Sequence, residues 1–383
     1  ANDQIERWIN RTNKKSAAFD FQFRYNVRDA ANGYDWSKLN SENNLIHNPA
    51  YRRYAVTFVE NHDMQDRGNA SGYTKDPINN DVVAANAYML AMPGTPCVFL
   101  PHWKKYKSEI KAMIDIRKTA GITNTASYRI LTAEKTLFRA EVTGKHGKLI
   151  VCVGQGAGSK SAEAGYTNVL SGEHYAYLLE DAGAYTGNTI FFDQAEGTYY
   201  NSVAVKVTSP ATANNAQLVY TLDGSAPSAT AAVVPANGII TIDKTAKLSV
   251  GILLNGTVTT VVSHNYTIIS FAAHKARIYF KQPAGWDKAY IWAWDATNPA
   301  LLGVQWPGLP MLTTTINGDT WYYYDFDINT GGYTVNVIFN QVLATGRVQT
   351  KNITGINKNT YYELGAVDNT GKYGVVDVTS QHP

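Results

Sequence analysis

Residues 54–63 read YAVTFVENHD, an apolar run that leads directly into four polar residues. The run lacks the polar alternation of a half-buried strand, so we predict a strand over Tyr54–Val59 that is covered on both faces. Strands of this kind form parallel sheets, and in α/β barrels the carboxyl ends of such strands carry the functional side chains. His62 and Asp63 are therefore candidate site residues. An ordinary surface turn explains Asn61–Asp63 equally well at this point.

Strands and helices alternate on both sides of this run through residue 122, which indicates parallel β/α units. Asp81 and Ser108 are suitable helix-capping residues, and Gly121 is a suitable helix stop. The predicted elements are a helix over Gln4–Asn13, a strand over Phe19–Phe23, a helix over Tyr25–Ala31, a helix from Asp81 to Pro93, a strand over Cys97–Leu100 and a helix from Ser108 to Gly121.

From Thr123 onward the pattern predicts β-strands alone, beginning with a small antiparallel sheet. A Gly/Ala/Thr stretch at Gly183–Asn188 suggests a linker, and Asn255-Gly256 is a hairpin turn signal. The sequence therefore predicts a multidomain chain with a partial (β/α)8 barrel followed by antiparallel β domains and β-sandwiches. The predicted parts are 1–122 (barrel), 123–185 (β-sheet domain), 186–270 (sandwich) and 271–383 (second sandwich).

Composition excludes several classes of protein. The chain has 383 residues, a formal charge of +3 and 12% aromatic residues, with no apolar run long enough to cross a membrane. No dense basic stretch suggests nucleic-acid binding, and no metal-ligand spacing or phosphate-binding glycine loop is present. Cys97 and Cys152 lie in apolar runs and are predicted to be buried free thiols. The modest charge gives no reason to expect an anionic substrate.

Aromatic residues concentrate near the end of the chain. Period-two alternation places Tyr290, Trp292 and Trp294 on one face of a predicted strand, and Trp306 follows shortly after. Flat aromatic faces stack against the apolar C–H faces of sugar rings. The alternative is that these tryptophans belong to the core, since an exposed trio would form an unusual apolar patch.

Residues 58–63 resemble the fourth conserved segment of the α-amylase family, glycoside hydrolase family 13, and most closely its plant-type members. Residues 19–21, 94–99 and 116–122 also occur at family-like spacings. The resemblance extends through about residue 180. It implies that residues 1–122 supply the last three β/α units of the family's barrel, with Ala55–Val59 as the seventh strand.

The same resemblance implies roles for the two candidate residues. Asp63 would stabilise the oxocarbenium-like transition state, and His62 would hydrogen-bond the same sugar. The family's nucleophilic Asp and acid/base Glu belong to the fourth and fifth strands, which would precede Ala1. Because retaining glycosidases need that carboxylate pair, we expect the 383-residue chain by itself to be inactive.

Two later segments resemble known modules. Residues 220–228 are similar to the Y-T-x-D-G-S-x-P motif of chitobiase-carboxy-terminal-like modules, where Asp-Gly-Ser makes a tight turn, and no ligand is assigned to them. The block from 271 resembles a family-26 starch-binding module. That resemblance implies Trp294 and Trp306 as stacking platforms, Gln349 as the amide that recognises hydroxyls, and Asn340 as part of the same motif. Trp292 remains an alternative to Trp294.

Together the resemblances imply part of a retaining, endo-acting α-amylase that hydrolyses α-1,4-glucosidic bonds, with starch and maltooligosaccharides as its ligands. The alternative is a non-catalytic α-glucan-binding protein with a barrel remnant. The residues show no cofactor, although the family resemblance allows calcium. Because starch is too large to enter cells, we expect a secreted or cell-surface protein.

Overall fold

The computed structural model describes residues 2–65, 76–343 and 346–382. The chain divides into two compact units, Ala1–Ile269 and Ser270–Pro383. β-strands predominate, and the main helices all lie in the first 120 residues. None of the helices in the described ranges is both long and apolar enough to span a bilayer.

The first part of unit one is a three-stranded parallel sheet with helices after its strands. Strands β1 (Ala18–Phe19), β2 (Ala55–Thr57) and β3 (Thr95–Pro96) pair in that order, so the predicted parallel pairing is confirmed. The helices are α1 (Asn2–Arg11), α2 (Phe21–Gly33), α3 (His62–Gln65), α4 (Val82–Ala91), α5 (Leu100–Lys105) and α6 (Lys107–Ala120).

The predicted strand bounds are wrong at their carboxyl ends. The first strand stops at Phe19 because Asp20 caps α2, accepting hydrogen bonds from the N–H groups of Phe23 (3.0 Å) and Leu45 (2.7 Å). Residues 97–100 are not a strand: the Cys97 N–H still donates to Thr57 O (2.7 Å), but α5 begins at Leu100. Cys97 is therefore exposed, against prediction. Cys152 is buried and free, as predicted.

One of the three predicted helix boundaries, at Ser108, is wrong, and the predicted capping bond of Asp81 does not form although α4 begins directly after it. Asp81 precedes α4 but makes no capping hydrogen bond, because its carboxylate bonds His174 instead. Ser108 lies inside α6, and its hydroxyl accepts a hydrogen bond from Ala195 N (3.2 Å). Gly121 does end α6 with a φ of 72°, a left-handed conformation that glycine adopts without strain.

Arg117 on α6 holds the end of α4 in place. Its guanidinium donates to Leu90 O (2.7 Å) and Met92 O (2.6 Å) through Nη1, and to Gly94 O (3.0 Å) through Nη2. Burial lowers the pKa of Arg117 to about 10, so the group stays charged at neutral pH. One planar side chain thus satisfies three buried carbonyl groups at the end of α4.

Replacing Arg117 with methionine should lower the free energy of unfolding by about 2–4 kcal/mol, because it leaves buried carbonyl groups without donors. Denaturant titration of the intact chain measures the loss. Lys118→Met is the matched control, since the exposed Lys118 side chain should change stability by less than about 0.5 kcal/mol. Equal destabilisation by the two changes would contradict the role given to Arg117.

His102 on α5 is a buried neutral histidine. Asn86 Nδ2 lies 3.2 Å from its Nδ1, so this ring nitrogen accepts a hydrogen bond and the ring is uncharged. Burial, with a smaller contribution from Lys105, lowers the pKa of His102 from its ordinary value of 6.5 to about 4. Protonation of His102 would place a buried positive charge against the Asn86 N–H donor, away from water.

The His102 contribution to stability should be complete above pH 6.5 and should disappear as the pH falls toward 4, because the unfolded state binds the proton more tightly. The shift corresponds to roughly 3 kcal/mol at most. Urea titrations at pH 7 and 4.5 test this with His102→Gln, which keeps an acceptor but cannot titrate. The variant should lose less stability on acidification than the wild type, and identical losses would refute the assignment.

The predicted antiparallel sheet after residue 123 is confirmed and has one additional strand, β7. Its hydrophobic core is continuous with that of the helices, and the Tyr177 hydroxyl donates to Ala87 O of α4 (2.5 Å). The sheet order is β4-β5-β6-β8-β7, with β4 (Ser127–Glu134), β5 (Leu137–Thr143), β6 (Lys148–Val153), β7 (Tyr166–Gly172) and β8 (Tyr175–Glu180).

Residues 191–269 form two sheets around a separate core. Asn255 and Gly256, with φ of 50° and 77°, make the predicted hairpin turn. The predicted Asp223 turn is also present, with Asp223 Oδ1 accepting from Ser225 N (2.9 Å). The sheets are β10-β16-β15-β12-β13 and β14-β11-β9, from β9 (Phe191–Phe192), β10 (Gly197–Tyr200), β11 (Val203–Thr208), β12 (Gln217–Thr221), β13 (Ala232–Val233), β14 (Ile239–Ile242), β15 (Ala246–Leu254) and β16 (Thr257–Ile269).

The second unit is a pair of sheets whose inner faces share one core, in which Phe280 and Phe339 stack at 4.4 Å. One sheet has the order β20-β21-β17-β25-β26; the other is β19-β18-β22-β23, with β24 also on β22. The strands are β17 (His274–Lys281), β18 (Tyr290–Trp294), β19 (Leu309–Pro310), β20 (Leu312–Ile316), β21 (Asp319–Ile328), β22 (Val335–Leu343), β23 (Gly346–Gln349), β24 (Ile353–Ile356), β25 (Thr360–Val367) and β26 (Tyr373–Asp377).

Candidate functional site

His62 and Asp63 lie together at the carboxyl end of β2. Their side chains are 87% and 59% exposed, and His62 Nε2 lies 3.4 Å from Asp63 Oδ1. Asn61 accepts a hydrogen bond from Met64 N (3.0 Å), and the buried Met64 side chain anchors the turn. The turn thus presents an imidazole and a carboxylate side by side to solvent.

A network of ion pairs lies next to this turn and holds the neighbouring chain segments in place. Arg24 Nη2 lies 3.3 Å from Glu60 Oε1, and Arg24 Nη1 lies 2.6 Å from Asp76 Oδ2. Glu60 Oε2 accepts a hydrogen bond from Ile78 N (2.7 Å), and Arg28 also bonds Asp76. The network therefore ties the chain just before His62 and the chain from Asp76 onward to α2.

Sequence reasoning did not identify Arg24 as part of this site. The available signal was a pair of arginines four residues apart, Arg24 and Arg28, but the predicted helix began at Tyr25 and left Arg24 out. In the structure both lie on the same face of α2. Their acidic partners are 36 and 52 residues further along the chain. Local periodicity carries no information about contacts of that range.

Asp63 differs from the other carboxylates at the strand ends. Asp20, after β1, is buried, and this burial raises its pKa to about 6 against the opposing effect of its backbone hydrogen bonds. Glu60 is buried and paired with Arg24. Among residues 20, 58–63 and 97–99, which follow the three strands, Asp63 is thus the only exposed carboxylate.

A second candidate site lies on the outer face of β18. Ile291 and Ala293 point into the core, so the predicted alternation is present and Tyr290, Trp292 and Trp294 lie half-buried on the opposite face. These tryptophans are therefore not part of the buried core of the unit.

Trp306 contacts Trp292 rather than Trp294. The ring centroids of Trp292 and Trp306 are 5.8 Å apart, and their planes meet at 60°. The Arg347 guanidinium lies 5.8 Å from the Trp306 ring centroid, a cation–π contact that sequence reasoning missed. Trp294 lies two residues further along the same face of β18. The structure therefore brings together Trp292, Trp306 and Arg347.

Asn340 holds the Trp306 turn against β18. Its side chain is fully buried, and Nδ2 donates to Pro307 O (2.9 Å) and Tyr290 O (3.4 Å). A Cβ on Gly308 (φ 98°) would lie 1.9 Å from Ile291 O, so the turn approaches the strand as only glycine allows. This geometry makes Asn340 a positioning residue, and it does not present Asn340 to a ligand.

Gln349 lies on the same outer face as the tryptophans. In the strand register, Gln349 is opposite Asn340, and Asn340 is opposite Tyr290. Directly opposed residues of neighbouring strands share a face of the sheet. The half-buried Gln349 amide is thus placed to hydrogen-bond a molecule that rests on the rings.

Comparisons with known proteins show what each part of the chain is similar to. Residues 278–354 match the starch-binding module 26 family. The chain is 32% identical over 182 residues to the probable α-amylase 2 of Arabidopsis thaliana, covering 45% of this chain and 41% of that protein. It is 36% identical over 93 residues to the α-amylase type B isozyme of Hordeum vulgare, covering 24% and 58%. The chain thus spans less than two thirds of the length of each of these curated relatives.

Among solved structures, the γ-CGTase of alkalophilic Bacillus clarkii is similar over 90% of this chain and 60% of that chain. The TM-score is 0.33 at 13% identity, which is too low to inform the fold. The predicted resemblance is confirmed by the sequence matches: the chain resembles α-amylases and carries a family-26 starch-binding module.

Proposed function

We propose that this chain is the carboxy-terminal part of a starch-degrading α-amylase that is endo-acting and retaining, and that its second unit binds starch and maltooligosaccharides. The observation that carries the proposal is the angled pair of Trp292 and Trp306 inside the region that matches the starch-binding family. Residues 1–122 are proposed to contribute the last three β/α units of the barrel.

The tryptophan pair suits a curved glucan. Successive glucose rings of an α-1,4 chain turn relative to one another, so two aromatic faces that meet at 60° can stack on neighbouring rings. The Gln349 amide can donate to and accept from sugar hydroxyl groups. Because Asn340 fixes the Trp306 turn, the angle between the rings is set before the ligand binds, which reduces the ordering cost of binding.

Asp63 is proposed to stabilise the positive charge that develops in the transition state, and His62 to hydrogen-bond the same sugar. The exposed position of Asp63 at the end of a parallel strand supports this role, as does the ion network that braces its turn. Across the described ranges, no three side chains of His, Cys, Asp or Glu are grouped so that they could hold a metal ion.

The alternative is a non-catalytic α-glucan-binding protein. It is supported by the match of residues 278–354 to the starch-binding family, which concerns binding and not catalysis. Both functions require starch binding, and both point to a protein that acts outside the cell, where starch is accessible.

Native electrophoresis of the intact chain in gels with and without soluble starch tests the proposal. We expect retardation by starch and unchanged mobility in gels that contain soluble hydroxyethylcellulose, because the angled ring pair does not match a flat glucan. Equal mobility in all gels would refute the proposed function.

A further inference from the structure

A cleft lies in the first unit, between the start of α4 and the β7–β8 turn. Its volume is about 470 Å³, and neither candidate site described above contributes to it. Residues 34, 106 and 109 of the helical part form one wall, and residues 172–175 of the antiparallel sheet form the other. The lining includes Tyr34, Asn79, Asp81, Glu109, Glu173 and His174.

Three residues of this cleft have left-handed backbone conformations although none is glycine. The φ angles are 48° for Tyr34, 52° for Asp81 and 59° for His174. Asp and His tolerate this region better than most residues, but a bulky tyrosine is a true exception. Tyr34 ends α2 at the position that glycine usually occupies. Tyr34 thus holds a backbone conformation that is unfavourable for its residue type.

The tyrosine ring is available to a ligand. Tyr34 is 44% exposed and belongs to the lining of the cleft. An exposed phenol ring at the edge of a cleft offers both a flat apolar face and a hydroxyl group. A sugar ring needs this combination, with its C–H face on the ring and its hydroxyl groups toward polar neighbours.

The opposite wall is fixed by a hydrogen bond between the two parts of the unit. His174 Nδ1 lies 2.7 Å from Asp81 Oδ1, and Asp81 Oδ2 accepts a weaker bond from Gln155 Nε2 (3.5 Å). The described residues provide no partner for His174 Nε2, so this nitrogen remains free to bond a ligand. The pair holds the imidazole in one orientation and joins the β7–β8 turn to α4.

The charges of the cleft restrict the class of ligand. Asp81, Glu109 and Glu173 disfavour an anion. These side chains are not gathered as metal ligands, since the described residues contain no group of three that could hold a cation. The cleft instead suits a neutral polyhydroxy compound. Such a compound can hydrogen-bond the carboxylates, the Asn79 amide and the imidazole while one of its faces rests on the aromatic ring.

We propose that this cleft binds a segment of α-glucan, as a site separate from the tryptophan face. The inference rests on the proposed function, which supplies the identity of the polyhydroxy ligand.

Isothermal titration of the intact chain with maltoheptaose tests the inference. The wild type should bind at more than one site, and Trp306→Ala should leave binding in the first unit. Adding Tyr34→Asn to Trp306→Ala should weaken the residual binding about tenfold or more, while Tyr34→Phe should preserve it. Asparagine is chosen because it tolerates positive φ, so the variant should remain folded.

The outcomes separate the two proposals. A wild type that binds no maltoheptaose refutes the proposed function. A Trp306→Ala chain that binds none, or residual binding that Tyr34→Asn leaves unchanged, overturns the second site alone, since any remaining binding then belongs to the region of Asp63. If thermal melting shows that Tyr34→Asn unfolds the chain, His174→Asn replaces it in the Trp306→Ala background. Residual binding should again weaken about tenfold or more, and unchanged residual binding would again overturn the second site.

Discussion

Replacing Trp306 with alanine should weaken the binding of maltoheptaose to the second unit by about tenfold or more. The change removes one of the two ring faces, and aromatic stacking contributes roughly 1–2 kcal/mol. The ring is half-buried and lies outside the core cluster, so the thermal stability of the unit should change little. Starch-gel retardation and thermal melting of the same variant give the two readouts.

Trp321→Ala is the matched control for this change. Trp321 lies on β21 in the other sheet and is 1% exposed, so its removal should cost about 3–5 kcal/mol of unfolding free energy. Trp306→Phe should retain part of the affinity, because a smaller ring still offers a face. A Trp306→Ala chain that melts like Trp321→Ala, or that keeps its full affinity, would contradict the assignment of Trp306 to the ligand.

In a complete enzyme of the kind proposed above, Asp63→Asn should lower kcat by on the order of 10²–10³-fold. The amide keeps the size of the side chain but loses the charge that stabilises the developing cation. Because the Asp63 side chain is exposed and, among the residues that the structure describes, pairs only with His62, the unfolding free energy should change by less than about 0.5 kcal/mol. Steady-state kinetics on soluble starch together with a melting curve measure both effects.

Glu60→Gln provides the contrast, because Glu60 is buried against Arg24. This change should destabilise the fold by about 3–5 kcal/mol, since it leaves a buried guanidinium without part of its countercharge. Normal turnover by an enzyme with Asp63→Asn would show that Asp63 is not at the reaction centre. It would also remove the functional argument for placing β2 as the seventh strand of a barrel.

Several features followed from local pattern. The apolar run at residues 54–59 predicted a buried parallel strand, and the alternation in Tyr290–Trp294 predicted the outward face of β18. Asn255-Gly256 predicted its hairpin turn, because few other dipeptides adopt two positive φ angles without strain. In each case the decisive interactions lie within a few residues of sequence.

Other features depended on contacts that local pattern does not contain. Asp81 was predicted to cap α4, but its partner His174 is 93 residues away, and the carboxylate bonds that imidazole instead. Asn340 was predicted as part of the starch-binding motif, and its structural role became visible in the buried hydrogen bond that it donates to Pro307 O of the Trp306 turn. The pairing of Trp306 with Trp292 depends on this same turn, so the sequence left Trp292 and Trp294 as alternatives.

The most direct test of the α-glucan site on the tryptophan face of the second unit uses nuclear magnetic resonance. It follows the indole N–H signals of the intact chain. The chain has eight tryptophans, so these signals can be assigned by single replacements. On addition of maltoheptaose, the signals of Trp292 and Trp306 should shift together, while those of the buried Trp286 and Trp321 should not. Unchanged Trp292 and Trp306 signals at saturating maltoheptaose would contradict the account.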